Sequence, residues 1–283
     1  MAFEIKSGGQ REPLKIAIYG TNGIGKTTFA ASMPRPFVVA VEKGVGNLRV
    51  NYGEADQMNF DQVMQSLYEL SPYFSGPNRV YDTLVIDSLD ALQPKVWEKV
   101  CRENGKKNIE DFGYGKGYTV AQDQWRKLID MLNRYNVELG INVVTIAQVD
   151  VKAIKDPIHG NWDRFVPRLH KTAMGGFGDW ADIVGFAQQK VTVYKDADGN
   201  NRVNMLPERV LNLTPHPSYF AKNRYNMPAE LPLSWQALDQ AINQAFGMAP
   251  AGHAPAQPQV HQQIQQQQAQ QPTPYQPVTG MAR

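Results

Sequence analysis

The stretch Leu14-Lys-Ile-Ala-Ile-Tyr-Gly20-Thr21-Asn22-Gly23-Ile24-Gly25-Lys26-Thr27-Thr28-Phe29-Ala30-Ala31 decides the fold. It begins as an apolar strand and ends as the opening turn of a helix, with three glycines between them. Gly20 to Thr27 satisfies the Walker A spacing G-x-x-x-x-G-K-[ST] in the strand–loop–helix setting that this spacing needs. Glycines let the main chain wrap phosphates with its N–H groups, and the N-terminus of the following helix adds its dipole. Gly20 to Thr28 is therefore the expected nucleotide-binding loop. Lys26 would reach the β- and γ-phosphates, and the Thr27 hydroxyl would ligate Mg²⁺. The predicted ligands are ATP and Mg²⁺.

Outward from this loop, apolar runs alternate with helical patterns from about residue 14 to 246, the signature of an α/β chain with a mainly parallel central sheet. Strands are expected at Leu14–Tyr19, Phe37–Val41, Thr83–Ile86 and Ile141–Ala147. Phe60, Val63, Met64, Leu67, Tyr68 and Leu70 recur at helical spacing, and Pro72 marks the stop. Further helices are expected over Ala91–Arg102, from about Tyr118 through Leu139, and over Ser234–Phe246. Asp150–Gly178 loses periodicity and reads as a long loop, a length that compact domains usually reserve for function. Ile183–Tyr194 and Arg202–Leu206 flank Asp198-Gly199, a hairpin signal, and another strand is expected near Arg209–Leu213.

The ends differ in character. Residues 1–13 are polar and carry Gly8-Gly9, as expected of a flexible leader. Residues 248–283 are dominated by Gln, Pro and Ala, with Arg283 as the last formal charge, as expected of a disordered tail. The formal net charge of +2 means that any nucleic-acid surface must be local. Cys101 alone rules out an internal disulfide and a cysteine-based zinc cluster. The N-terminus lacks a signal peptide and no apolar run is long enough to span a bilayer, so the chain reads as soluble and cytoplasmic.

Two carboxylates sit where strands end. Asp87 closes Leu84-Val85-Ile86, the position from which a Walker B aspartate holds Mg²⁺; capping of the next helix is the other use of an aspartate there. Glu42 follows Phe37–Val41 at the crevice end of its strand. Position alone leaves Glu42 either a base for the attacking water or a loop glutamate paired with Lys43.

The order of elements resembles the RecA-like branch of P-loop ATPases, which includes recombinases and hexameric replicative helicases. That resemblance implies that Glu42 is the catalytic glutamate. It implies that Gln148, closing the Ile141–Ala147 strand, senses the γ-phosphate; a plain strand-end amide is the alternative. It also implies that Lys222 and Arg224, which flank Asn223 and share one strand face, reach into a neighbouring subunit's site as arginine fingers do. Otherwise they are solvated surface cations. A narrower resemblance, to phage-encoded RecA-like nucleotide-binding proteins among the AAA family ATPases, some linked to single-strand annealing, covers residues 15–246. It rests on the Walker A loop, Glu42, Asp111–Tyr118, Trp180-Ala-Asp182 and Ala221–Tyr225. Lys43-Gly44 follows Glu42 where the branch often has Gly-Gly, a departure at that turn.

The implied function is ATP hydrolysis coupled to phage recombination, repair or replication, in the cytoplasm of a bacterial host. The implied partners are single-stranded DNA, further copies in a ring or filament, and a single-strand-binding protein. Two segments carry cations interleaved with aromatics, which suits single strands. Lys106, Lys107, Tyr114 and Lys116 fall in the first, and Lys152, Lys155, Arg164, Arg168 and Lys171 in the second. Aromatics in such loops otherwise anchor the loop to the core. The alternatives are a ring helicase or loader motor using the same site, and a nucleotide-gated binding module that barely hydrolyses ATP.

Overall fold

The structure is a computed structural model that describes residues 11–158, 160–196 and 198–248. In chain order its first half comprises β1 (Lys15–Gly20), α1 (Lys26–Ala31), β2 (Pro36–Ala40), β3 (Asn51–Glu54), α2 (Phe60–Leu70), β4 (Thr83–Asp87) and α3 (Leu89–Glu103). The second half adds α4 (Lys116–Asn133), β5 (Asn142–Asp156), β6 (Gly160–Pro167), α5 (Lys171–Trp180), β7 (Ile183–Lys195), β8 (Asn201–Asn212), β9 (Lys222–Asn223), β10 (Glu230–Pro232) and α6 (Trp235–Ala245).

The strands form one sheet with the order β10-β8-β7-β1-β5-β4-β2-β3. From β7 to β3 all neighbours are parallel, whereas β8 and β10 join antiparallel at one edge. This is the expected α/β core with a mostly parallel sheet and hairpin additions. Parallel strands covered on both faces read as continuous apolar runs; every residue of β4 is buried. Side-chain caps set the helix starts. Asn59 and Gln62 form a capping box on α2, and Ser88 and Ser234 cap α3 and α6.

Register fixes the functional end of the sheet. Gly20 pairs with Gln148 across β1 and β5, Ile146 with Asp87 across β5 and β4, and Asp87 with Ala40 across β4 and β2. Three strand ends therefore finish at one level, at the carboxyl edge where open α/β sheets bind ligands.

The expected loop over Asp150–Gly178 is instead structured. β5 runs on past Ala147 to Asp156, pairs antiparallel with β6, and α5 follows. The expected strand near Arg209–Leu213 is the second half of β8, continuous with Arg202–Leu206. Within the glycine-rich 104–118 segment, Ile109–Phe112 forms a 3-10 turn capped by Asn108. Of the expected leader, residues 1–10 lie outside the described residues, while Arg11 donates to Asp239 Oδ1 and Asn243 Oδ1, both at 2.6 Å, on α6. The expected disordered tail, apart from Met248, also lies outside them. Among the described residues no helix is long and apolar enough to cross a membrane.

Candidate nucleotide-binding site

The glycine loop is shaped by contacts that only glycine permits. A Cβ on Gly20 would stand 2.2 Å from the Ala187 carbonyl oxygen of β7, so β1 and β7 approach closely only with glycine there. Gly25 has φ 107°, outside the range that side chains tolerate. Ile24 turns inward and anchors the loop in the core, whereas Thr21, Asn22 and Gly23 are exposed.

Lys26 is buried, and its ammonium donates to Gly20 O at 2.8 Å, Thr21 O at 2.9 Å and Gln148 Oε1 at 2.8 Å. Burial lowers its pKa, opposed by Asp87, Asp90 and Glu42. Thr27 Oγ1 donates to Asp87 Oδ2 at 2.6 Å. Burial raises the pKa of Asp87, opposed by the Thr27 hydrogen bond and the Lys26 charge. The Asp87–Ser88 peptide is cis.

A buried carboxylate beside a hydroxyl is the hard-oxygen pair that Mg²⁺ takes when phosphates and water complete its shell. Thr27 and Asp87 fit that ion. Among the described residues no group of three or more His, Cys, Asp or Glu converges as a metal cage. Mg²⁺ bound to a nucleotide needs none.

Glu42 stands just past β2, tied to the Asp87 end of β4: Val41 N and Glu42 N both donate to Asp87 O, at 2.7 and 3.4 Å. Burial holds its carboxyl above the usual range, and Asp87 and Asp90 add to the rise. Gln148 Nε2 donates to Glu42 Oε1 at 3.3 Å, and Gln148 N donates to Asp90 Oδ1 at 2.9 Å. One amide thus joins the loop lysine to the glutamate. The cleft lined by Lys26, Thr27, Glu42, Asp87, Gln148 and Arg209 encloses about 310 Å³, within the range of small-molecule sites.

The other candidate residues lie elsewhere. β9 pairs with Ile183 and Val184 of β7, which flank Ile16 and Ala17 of β1, so Lys222 and Arg224 lie toward the amino end of the sheet, away from the loop of their own chain. Lys222 Nζ donates to Gly178 O and Asp179 O, each at 2.9 Å, closing the end of α5. Arg224 pairs with Asp182 at 2.9 Å.

The two basic segments meet. Tyr118 stacks on His170 with ring centres 3.9 Å apart, which joins the start of α4 to the start of α5. In these segments Lys106, Lys107, Lys116 and Lys171 are exposed and Tyr114 is fully so, whereas Lys155, also exposed, pairs with Asn161 near the far end of the β5–β6 hairpin. Arg164 differs from its expected role. Its guanidinium donates to Tyr219 O at 3.0 Å and lies over the Phe220 ring, so it packs the hairpin base instead of facing solvent. Lys152 donates to Leu169 O at 2.9 Å, and Arg168 is held at the sheet edge by its N–H on Gln148 O.

A family described as "AAA domain" matches residues 12–225, most of the folded chain. The chain belongs to that family. It is a nucleotide-binding ATPase domain of AAA type, and the matched span contains the loop, Glu42, Asp87, Gln148 and Arg209. The chain is also 28% identical over 121 residues to the SPbeta prophage-derived uncharacterized protein YorG of Bacillus subtilis (strain 168). That match covers 40% of this chain and 36% of that protein, so the chain spans little more than a third of the relative's length.

Two residues of this AAA domain escaped the sequence reading. Asp90 lies three residues beyond Asp87, a spacing visible in the sequence, and holds the main chain of Gln148. Arg209 carries no local motif; its place over the loop follows from the distant pairing of β8 with β7.

Proposed function

We propose that this AAA domain is a Mg²⁺-dependent ATPase acting on single-stranded DNA in phage recombination, repair or replication. The observation that carries the hydrolytic part is the linked set Thr27–Asp87 and Lys26–Gln148–Glu42 at the carboxyl ends of adjacent parallel strands. Main-chain N–H groups of Gly20–Thr28 bind the phosphates. Lys26 exchanges its carbonyl and Gln148 partners for phosphate oxygens. Glu42 accepts a proton from the water that attacks the terminal phosphorus, a role suited to a carboxyl held above its ordinary pKa. Thr27 and Asp87 would hold Mg²⁺, which when bound neutralises charge on the phosphate oxygens.

Three features support the DNA part. The Tyr118–His170 stack brings the start of α4, next to Lys116, against the start of α5, next to Lys171. β5 runs unbroken from Gln148 into the β5–β6 hairpin, so a change at the amide has a rigid path outward. The relative's printed name, prophage-derived, agrees with a phage setting.

The proposal includes a homo-oligomer in which Lys222 and Arg224 face a neighbour. Val191, Val193, Val203 and Met205 support it: they pair across β7 and β8 on one face of a projecting arm and are exposed. A single-strand-binding protein remains a proposed partner.

The test is steady-state ATP hydrolysis with and without Mg²⁺ and with and without oligo(dT). The proposal expects dependence on the metal and a rise in turnover with DNA. Hydrolysis unaffected by DNA at any saturating length would remove the DNA part and leave the ATPase.

A further inference from the structure

We propose that Arg209 is a phosphate ligand of its own chain's nucleotide, binding at the α- and β-phosphates from β8. The proposal rests on the ATPase reading above and adds a cation to the site that the glycine-loop motif does not contain. Arg209 lies where β8 re-enters the sheet beneath the projecting arm, paired with Gln189. Its main chain is fixed, since Arg209 O accepts from Leu233 N at 2.9 Å. Its guanidinium crosses to the glycine loop, where Nη1 stands 3.2 Å from the place a Cβ on Gly25 would take.

The side chain forms no hydrogen bond or ion pair among the described residues, although Glu42 and Asp87 line the same cleft. An arginine normally saturates its fork on carboxylates or carbonyls when they are in reach. Here the fork points at a loop whose N–H groups cradle α- and β-phosphates.

Charge balance points the same way. The charged side chains lining the cleft are Lys26, Glu42, Asp87 and Arg209. Asp90 and Arg168 stand close enough to act on Lys26 as well. Arg209 adds a second cation to a lining that otherwise sets Lys26 against two carboxylates, which favours a polyphosphate. A side chain at Gly25 would strain the backbone and would also crowd the guanidinium, which would have to shift slightly.

A ligand of the α- and β-phosphates is present in both substrate and product complexes, so its loss weakens binding of both and leaves the chemical step alone. The experiment measures Mg²⁺-dependent affinity for ATP, ADP and inorganic tripolyphosphate in the wild type, Arg209→Ala, Arg209→Lys and Lys26→Ala. A bidentate contact predicts that Arg209→Ala weakens all three ligands by about tenfold or more, with kcat within about threefold. Arg209→Lys should recover part of the loss. Circular dichroism and thermal melting check that this exposed substitution leaves the fold intact.

Wild-type affinities in Arg209→Ala, with Lys26→Ala defective, would overturn the Arg209 proposal and leave the ATPase reading standing. Tripolyphosphate binding unchanged while ATP binding weakens would assign Arg209 to the base and also overturn it. Loss confined to ATP, with ADP unchanged, would contradict the α- and β-phosphate assignment. Wild-type binding in Lys26→Ala as well would defeat the underlying site itself.

Discussion

Lys26 Nζ lies 2.8 Å from Gln148 Oε1, and the same amide reaches Glu42 Oε1 through its nitrogen at 3.3 Å. The cation that should meet the phosphates is therefore held by Gln148, midway along β5, and the candidate base is held by that residue too. A nucleotide that draws Lys26 away frees one end of the amide. In the proposed mechanism the freed end would then report on the phosphates to β5, which leads straight into the β5–β6 hairpin.

Gln148→Ala should uncouple the two sides of this link. Turnover should fall roughly tenfold, about 1.4 kcal/mol in the barrier, and any stimulation by DNA should disappear. ATP affinity should change by less than about threefold. Hydrolysis assays with and without oligo(dT) check this; a variant that keeps full stimulation would show that the signal takes another route.

Glu42→Gln should bind ATP normally and hydrolyse it slowly. Removing a general base typically costs about a hundredfold or more in kcat. Single-turnover kinetics separate the two steps. If the variant hydrolyses at the wild-type rate, Glu42 is a loop residue and the base lies elsewhere.

Lys222→Ala removes two hydrogen bonds from the carbonyls at the end of α5 and should destabilise the domain by about 1–2 kcal/mol, read by urea unfolding. Mixing it with Glu42→Ala tests a role across subunits. Recovery of ATPase activity in the mixture, above either variant alone, is the expected outcome for a shared site. With assembly verified by mass, no recovery at any ratio would confine Lys222 to its helix-closing contact.

Tyr114→Ala should weaken single-strand binding by roughly 1–3 kcal/mol if the ring stacks on a base. Lys116→Ala and Lys171→Ala should each flatten the salt dependence, by about 0.7 in the slope of log K against log salt. Fluorescence anisotropy with oligo(dT) over a salt series measures both. Slopes identical to the wild type would move the nucleic-acid face away from the Tyr118–His170 stack.

Much of the site was legible because its signals are local. Gly20–Thr28 carries its own spacing, while Glu42, Asp87 and Gln148 each follow a short apolar run, so parallel register had only to bring the strand ends level. The β5–β6 hairpin was hidden for a physical reason. Val151 and Phe165 share one face while Ile154 and Trp162 share the other, so a projecting ribbon with neither face fully buried shows no clean alternation. α5 was masked by Gly175, Gly176 and Gly178, which lower helix propensity; a Cβ on Gly178 would crowd the Phe220 ring, and Gly176 lies against Ile129.

Lys222 and Arg224 were legible as a spaced basic pair, but β9 ends at Asn223, before Arg224, and which end of the sheet they occupy depends on β9 pairing with β7. Arg209 had no local signature at all. Its position is set by a strand partner twenty residues away and by a loop at the other end of the sequence.

Titration calorimetry of ATP into the wild-type chain and Lys26→Ala, each with Mg²⁺ and with excess chelator, is the most direct measurement. The wild type should bind the nucleotide, lose most of that affinity without the metal, and exceed Lys26→Ala by about a hundredfold, as expected for two charge-assisted contacts. Heats that are absent in the wild type, or equal in the two proteins, would contradict a phosphate-binding role for the Gly20–Thr28 loop.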